Sequence, residues 1–80
     1  MTVTLLLFAA YAEALGTSSL SLQLSSGATV GDLLAHVRAM RGAQRLPAAV
    51  LVAVNEEYAL PDRVLAVGDE VALIPPVAGG

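Results

Sequence analysis

Cysteine, lysine and tryptophan are all missing from these 80 residues, and histidine occurs once. Without cysteine there is no disulfide and no thiolate zinc site, and no side chain can carry a persulfide or a thioester. Without lysine there is no side-chain amine for a Schiff base and no internal acceptor for an isopeptide bond. His36, alone in the main predicted helix, has no companion with which to build a metal cage and reads as a surface or boundary residue, so no metal and no bound cofactor are expected. Cations are scarce too. Arg38, Arg41, Arg45 and Arg63 stand against seven acids, for a formal charge of −3, which leaves no basic field to gather a phosphate backbone and argues against nucleic acid as a direct ligand. If the protein carries a reactive group, its side chains are poor places to look.

Long hydrophobic runs are also missing. The longest, 3-VTLLLFAAYA-12 and 46-LPAAVLVAV-54, fall short of the roughly 20 residues that span a bilayer, and no basic segment precedes the first. A soluble, cytoplasmic protein is expected, with no membrane partner. What is present is apolar residue in excess: 56% of the chain and a mean hydropathy of +0.73, against an average usage of about 45–50% even when glycine is counted. Part of that surface is expected to meet another protein. Eighty residues form one small domain, and a chain of this size buries only about 60% of its unfolded surface. That is too little for a deep cleft, so an enzyme acting alone is not expected.

Periodicity divides the chain into short elements. The stretch 2-TVTLLLF-8 reads as a strand at least partly buried on both faces. A short helix over 9-AAYAEALG-16 closes at Gly16, and 20-LSLQL-24 alternates as a half-buried strand that pairs with the first. After the turn 25-SSGA-28, 29-TVGDLLAHVRAMRG-42 is the clearest helix. Thr29 caps it with Asp32 three residues on, Val30, Leu33, Leu34, Val37 and Met40 make one apolar stripe, Arg38 and Arg41 suit its C-terminal end, and Gly42 stops it. The run 49-AVLVAVN-55 reads as a central strand, Asn55-Glu56-Glu57 as a turn into a short strand 57-EYAL-60, Pro61-Asp62 as a loop or a single helical turn, and Gly68-Asp69 as a turn into the last strand, 70-EVALI-74. The fold class expected is α+β, a small mixed sheet with one main helix packed across it. Residues 1–74 form the domain and residues 75–80 an extended tail.

The stretches 5-LLLFA-9, 13-EALG-16, 29-TVGDLL-34, 52-VAVN-55 and above all 68-GDEVALIPPVAGG-80 resemble the ubiquitin-like sulfur-carrier family of β-grasp proteins, and within it the MoaD-like small subunits of molybdopterin synthase. Nearly the whole chain is covered. One departure is Ala10 and Ala12, where members often carry arginine. The resemblance implies a β-grasp fold with a flexible Gly-Gly tail whose reactive group is the carboxylate of Gly80, next to Gly79. An E1-like (MoeB-like) adenylyltransferase would use ATP to adenylate it, a sulfur donor would convert it to a thiocarboxylate, and a large (MoaE-like) subunit would hold the pterin precursor that receives the sulfur. A heterotetramer with two large subunits is likewise a family implication.

The tail suits threading into a narrow channel. Glycines at 79 and 80 remove side chains beside the acyl carbon, and Pro75 and Pro76 lower an ordering cost of about 1–2 kcal/mol per residue by restricting the unbound chain. Val77 offers an apolar foothold and Ala78 keeps the next step small. Phe8, Tyr58 and Ile74 match the positions of the family's partner-facing patch, although strand-end apolar residues are also ordinary packing residues. Glu56, Glu57, Asp69 and Glu70 read as solvated turn acids, because adjacent strand residues point apart. Three other functions stay open: a sulfur carrier for thiamine or for thiolated tRNA, a ubiquitin-like protein modifier, and a binding module that makes no use of its last two residues.

Overall fold

A computed structural model describes residues 1–76. Five strands, Thr2–Leu7 (β1), Ser19–Gln23 (β2), Leu51–Val54 (β3), Glu57–Ala59 (β4) and Glu70–Ile74 (β5), form one sheet in the order β2-β1-β5-β3-β4. β1 runs parallel to β5 and all other neighbours are antiparallel, so the sheet is mixed. Helices Ala9–Leu15 (α1) and Val30–Arg38 (α2) and a 3-10 turn at Ala43–Arg45 complete the fold. No helix among the described residues is long and apolar enough to cross a membrane.

Strand alternation builds the core. Val3, Leu5 and Leu7 of β1, Val52 and Val54 of β3, and Val71 and Leu73 of β5 are buried, and they cluster with Val30, Leu33 and Val37 from α2. Leu6 and Thr4 on the other face of β1 are half-buried, as a strand inside the sheet but open on one side requires. α1 contributes Tyr11, whose hydroxyl finds no hydrogen-bond partner among the described residues, so apolar contact holds this helix in place. Gly16 ends it in the left-handed region at φ 76° and donates its N–H to the Ala12 carbonyl at 2.8 Å.

The capping box forms as expected: the Thr29 N–H donates to Asp32 Oδ2 at 2.9 Å, and the Asp32 N–H donates to Thr29 Oγ1 at 3.2 Å. The far end of α2 differs from the sequence expectation. The helix stops at Arg38 rather than running to residue 42: past it the backbone tightens, the Met40 N–H donating to the Val37 carbonyl at 2.9 Å, while the Arg38 guanidinium turns onto the carbonyls of Leu46 (3.4 Å), Pro47 (2.5 Å) and Ala48 (3.0 Å). It ties down the loop that leads to β3. Gly42 therefore caps no α-helix. Its φ of 90° begins the 3-10 turn, and a side chain there would collide with the Ala14 carbonyl of α1. Glycine is required at 42 by a close approach between segments. One other expectation shifts: β2 begins one residue early, at Ser19; β3, as its apolar run implies, lies inside the sheet, paired with β5 on one side and β4 on the other.

Candidate functional site: an apolar dish on the open face of the sheet

The face turned away from α2 is divided in two. On the β2 side it carries Thr2, Thr4, Ser19, Ser21 and Gln23, with the Gln23 amide donating to Thr2 Oγ1 at 2.7 Å. On the other side the register aligns apolar residues: Leu6 lies beside Ala72, Ala72 beside Ala53, Ala53 beside Tyr58, and Leu51 beside Ile74. Leu6, Phe8, Ala53, Tyr58, Ala72 and Ile74, with Glu56 and Glu70, line a shallow dish of about 340 Å³. This volume is at the low end for small-molecule pockets, and the dish opens outward from a sheet rather than into a cleft. Among the described residues no group of three or more His, Cys, Asp or Glu is arranged to hold a metal ion.

The three residues singled out by sequence, Phe8, Tyr58 and Ile74, are brought together here. Phe8 follows β1 as the residue that caps α1 in extended conformation, 47% exposed; Tyr58 is the middle of β4, not its end, 75% exposed; Ile74 closes β5. Pro75 and Pro76 continue from Ile74, so the chain leaves the sheet at the apolar end of the dish. The expectations for Val77, Ala78, Gly79 and Gly80 lie outside the described residues. Sequence reading missed Leu51 and Leu60, 55% and 73% exposed, which with Val50, Tyr58, Ala59 and Pro61 line a second hollow beside the first. No alternation is visible in 49-AVLVAVN-55, where every residue but the last is apolar, so which side chains turn outward had no signature there.

The acids divide as well. Glu56, Glu57 and Glu70 are exposed, but Asp69 is no mere solvated acid. Its Oδ2 accepts the Ala66 N–H at 2.8 Å and its Oδ1 the Asn55 amide at 2.9 Å, while Asn55 Oδ1 accepts the Glu70 N–H at 3.0 Å. The bond from Ala66, then that from Asn55, hold the Asp69 carboxyl below the usual carboxylate value against a small cost of burial. This lattice fixes the β3–β4 turn to the start of β5, and so fixes the acidic end of the dish. His36 is exposed on α2, away from it.

Against known proteins, the ThiS family matches residues 5–80. The chain is 37% identical to the molybdopterin synthase sulfur carrier subunit of Chlamydomonas reinhardtii, over the whole of both chains. It is 34% identical to the protein of the same name from Arabidopsis thaliana, over 98% of this chain and 82% of that one. Among solved structures, small archaeal modifier protein 1 from Haloferax volcanii superposes with a TM-score of 0.84 at 33% identity, covering 95% of this chain and 98% of that one. A chain of the complex of subunits 1 and 2 of molybdopterin-converting factor from Helicobacter pylori gives 0.76 at 21% identity over the full length of both, a likeness of fold. The architecture is the ubiquitin-like β-grasp.

Proposed function

The chain belongs to the ThiS family, and from that premise we propose that it is the sulfur carrier subunit of a molybdopterin synthase. The observation that supports this most strongly is the end-to-end likeness to relatives of that name. The chemistry resides in the carboxylate of Gly80. An oxygen of that carboxylate attacks the α-phosphate of ATP on an E1-like partner, releasing pyrophosphate and leaving an acyl adenylate. A sulfur nucleophile from a donor then displaces AMP and leaves a thiocarboxylate. Within a complex with the large subunit, two carriers to two large subunits, the thiocarboxylate sulfur bonds to a carbon of the pterin precursor, and water then cleaves the acyl–sulfur bond, leaving the sulfur on the pterin and restoring the Gly80 carboxylate. None of these steps needs a base, a thiol or a metal on the carrier itself, in keeping with a chain that has neither Cys nor Lys.

The fold supplies the positioning. Phe8, Tyr58 and Ile74 lie together and partly exposed, which supports their being covered by the large subunit, and Pro75 and Pro76 continue the chain from the apolar end of that surface. Aromatic and large aliphatic residues gathered in one exposed depression are what carries binding energy in protein interfaces.

Intact mass measured on the protein from its native cells, under alkylating and non-reducing conditions, tests the assignment. A species heavier by one oxygen-to-sulfur exchange, localised to Gly80, is the expected result. Unmodified carboxylate that persists after incubation with ATP, a sulfur donor and the cognate activating enzyme overturns it. The likeness to the archaeal modifier favours a second role, in which Gly80 forms isopeptide bonds with other proteins. A ladder of higher-mass species on an anti-protein blot, lost when Gly79 and Gly80 are deleted, is the outcome that role requires.

A further inference from the structure

The dish is charged at one end only. Glu70 opens β5 and Glu56 sits in the β3–β4 turn, whereas Phe8 and Ile74 lie at the opposite end, since β1 and β5 run parallel with Thr4 beside Glu70 and Leu6 beside Ala72. Four residue steps separate Glu70 from Ile74, about 13 Å at ~3.3 Å per step. No cation lines the dish. Arg38 is committed to the carbonyls of Leu46, Pro47 and Ala48, Arg41 and Arg45 lie between α2 and β3, and Arg63 approaches Glu57 at 4.0 Å. Glu56 and Glu70 have no ion-pair partner among the described residues. An apolar surface that carries two uncompensated carboxylates at one end fits a partner that brings an apolar protrusion and a cation to the matching place.

Glu56 also stands where the backbone favours another residue. The two-residue turn between β3 and β4 holds Asn55 at φ 49° and Glu56 at φ 71°, the pattern that prefers Asn followed by Gly. Asn55 conforms. Glu56 does not, and the turn would form more readily with glycine. Local rules tend to be broken where function asks for it.

Taking the carrier assignment above as given, we propose that Glu56 and Glu70 orient docking: they meet an arginine or lysine of the large synthase subunit about 13 Å from where the tail leaves the sheet. The pairing decides which way round the carrier seats and thus that the tail points into the large subunit's pocket. Charges at the rim of an interface act chiefly on association rate and register, less on affinity.

The test is the association rate of the full chain with the large synthase subunit from the same organism, measured at about 0.02 M and 0.5 M salt. The wild type is expected to slow steeply with salt. Glu56→Gln with Glu70→Gln should associate about tenfold more slowly at low salt and respond little to added salt. The charge-matched pair Glu13→Gln with Asp62→Asn should change the rate less than about twofold. Equal slowing by both pairs would show an effect of net charge alone and overturn the proposal, as would no slowing by the first. Glu56→Gly separates docking from folding: it should melt at a higher temperature and yet associate more slowly than the wild type, and association at the wild-type rate removes Glu56 from the proposal. Salt-sensitive dimerisation of the carrier alone, abolished by the Glu56/Glu70 pair, assigns the acids to a second copy and overturns it too. A wild type that fails to bind the large subunit at all overturns the carrier assignment itself, an outcome distinct from every result in which only the variants change.

Discussion

Leu73 and Ile74 are neighbours on β5 that face opposite ways. Leu73 is fully buried among Leu5, Val52, Leu33 and the rest of the core, and Ile74 keeps part of its surface in the dish beside Phe8 and Leu51. The same division runs through β1, where Leu5 and Leu7 are buried and Leu6 lines the dish. One strand thus serves two purposes with period two: odd positions hold the fold together, and even positions offer a surface to something else. A single-residue step separates what stabilises the domain from what it presents.

The last residues of the sequence supply the sharpest way to break that division. On the proposed carrier chemistry, adding one residue after Gly80 should abolish thiocarboxylate formation completely while the melting temperature stays at the wild-type value, because it moves the terminal carboxylate off the glycine assigned to carry the sulfur and changes no core contact. Thiocarboxylate on an unprocessed extended variant, detected by mass spectrometry, would place the reactive group elsewhere.

Next in size is truncation on the buried face. Leu73→Ala should cost about 2–5 kcal/mol of stability, the usual range for a leucine removed from a packed core, a large share of the total in a domain this small. Urea unfolding would measure it. On the open face, Phe8→Ala with Ile74→Ala should cost about 1 kcal/mol or less in the same assay, since both side chains already meet water, yet weaken affinity for the large subunit by about 2 kcal/mol or more, roughly thirtyfold. Calorimetric titration of the double variant decides it. Unchanged affinity would return Phe8 and Ile74 to ordinary packing, and a stability loss equal to that of Leu73→Ala would erase the distinction between the faces.

Much of this plan is legible in the residues, and where it is not the reason is physical. Val71 and Leu73 alternate with Glu70, so the orientation of β5 is written in its sequence; Thr29 and Asp32 announce the start of α2 through a cap that depends only on local spacing. The end of α2 coincides with a long-range contact that local spacing does not reveal. Arg38 has every helical credential, and only the folded chain shows it reaching eight to ten residues ahead to three carbonyls. Gly42 looked like a helix terminator because glycine's absent side chain serves many purposes, and here the purpose is room for the Ala14 carbonyl. The dish was half legible: Phe8, Tyr58 and Ile74 could be singled out, but Leu6 and Ala53, like Leu51 in the hollow beside it, lie in runs without polar residues, where period two leaves no trace. Asp69 gave no sign of its partners, since Asn55 lies 14 residues away in sequence.

That last residue supports the smallest effect, one that tests how the acidic end of the dish is held. The Ala66 N–H and the Asn55 amide favour the charged form of Asp69, so its folded pKa lies below the unfolded value of about 3.9. A carboxyl lowered in this way adds stability that is fully present above the unfolded value and is lost as pH falls through the folded one. Asp69→Asn should therefore lower the urea midpoint near neutral pH, and the gap from wild type should narrow as pH drops below about 3.9. The effect is small because Asp69 lies near the surface, where water screens it. Its docking consequence is specific: with the Asn55 lattice loosened, Glu56 and Glu70 are less well held, so association with the large subunit should slow at neutral pH more than the modest change in stability accounts for. A stability gap that does not vary with pH would show that the two hydrogen bonds do not depend on the charge, and an unchanged association rate would show that the turn keeps its place without them.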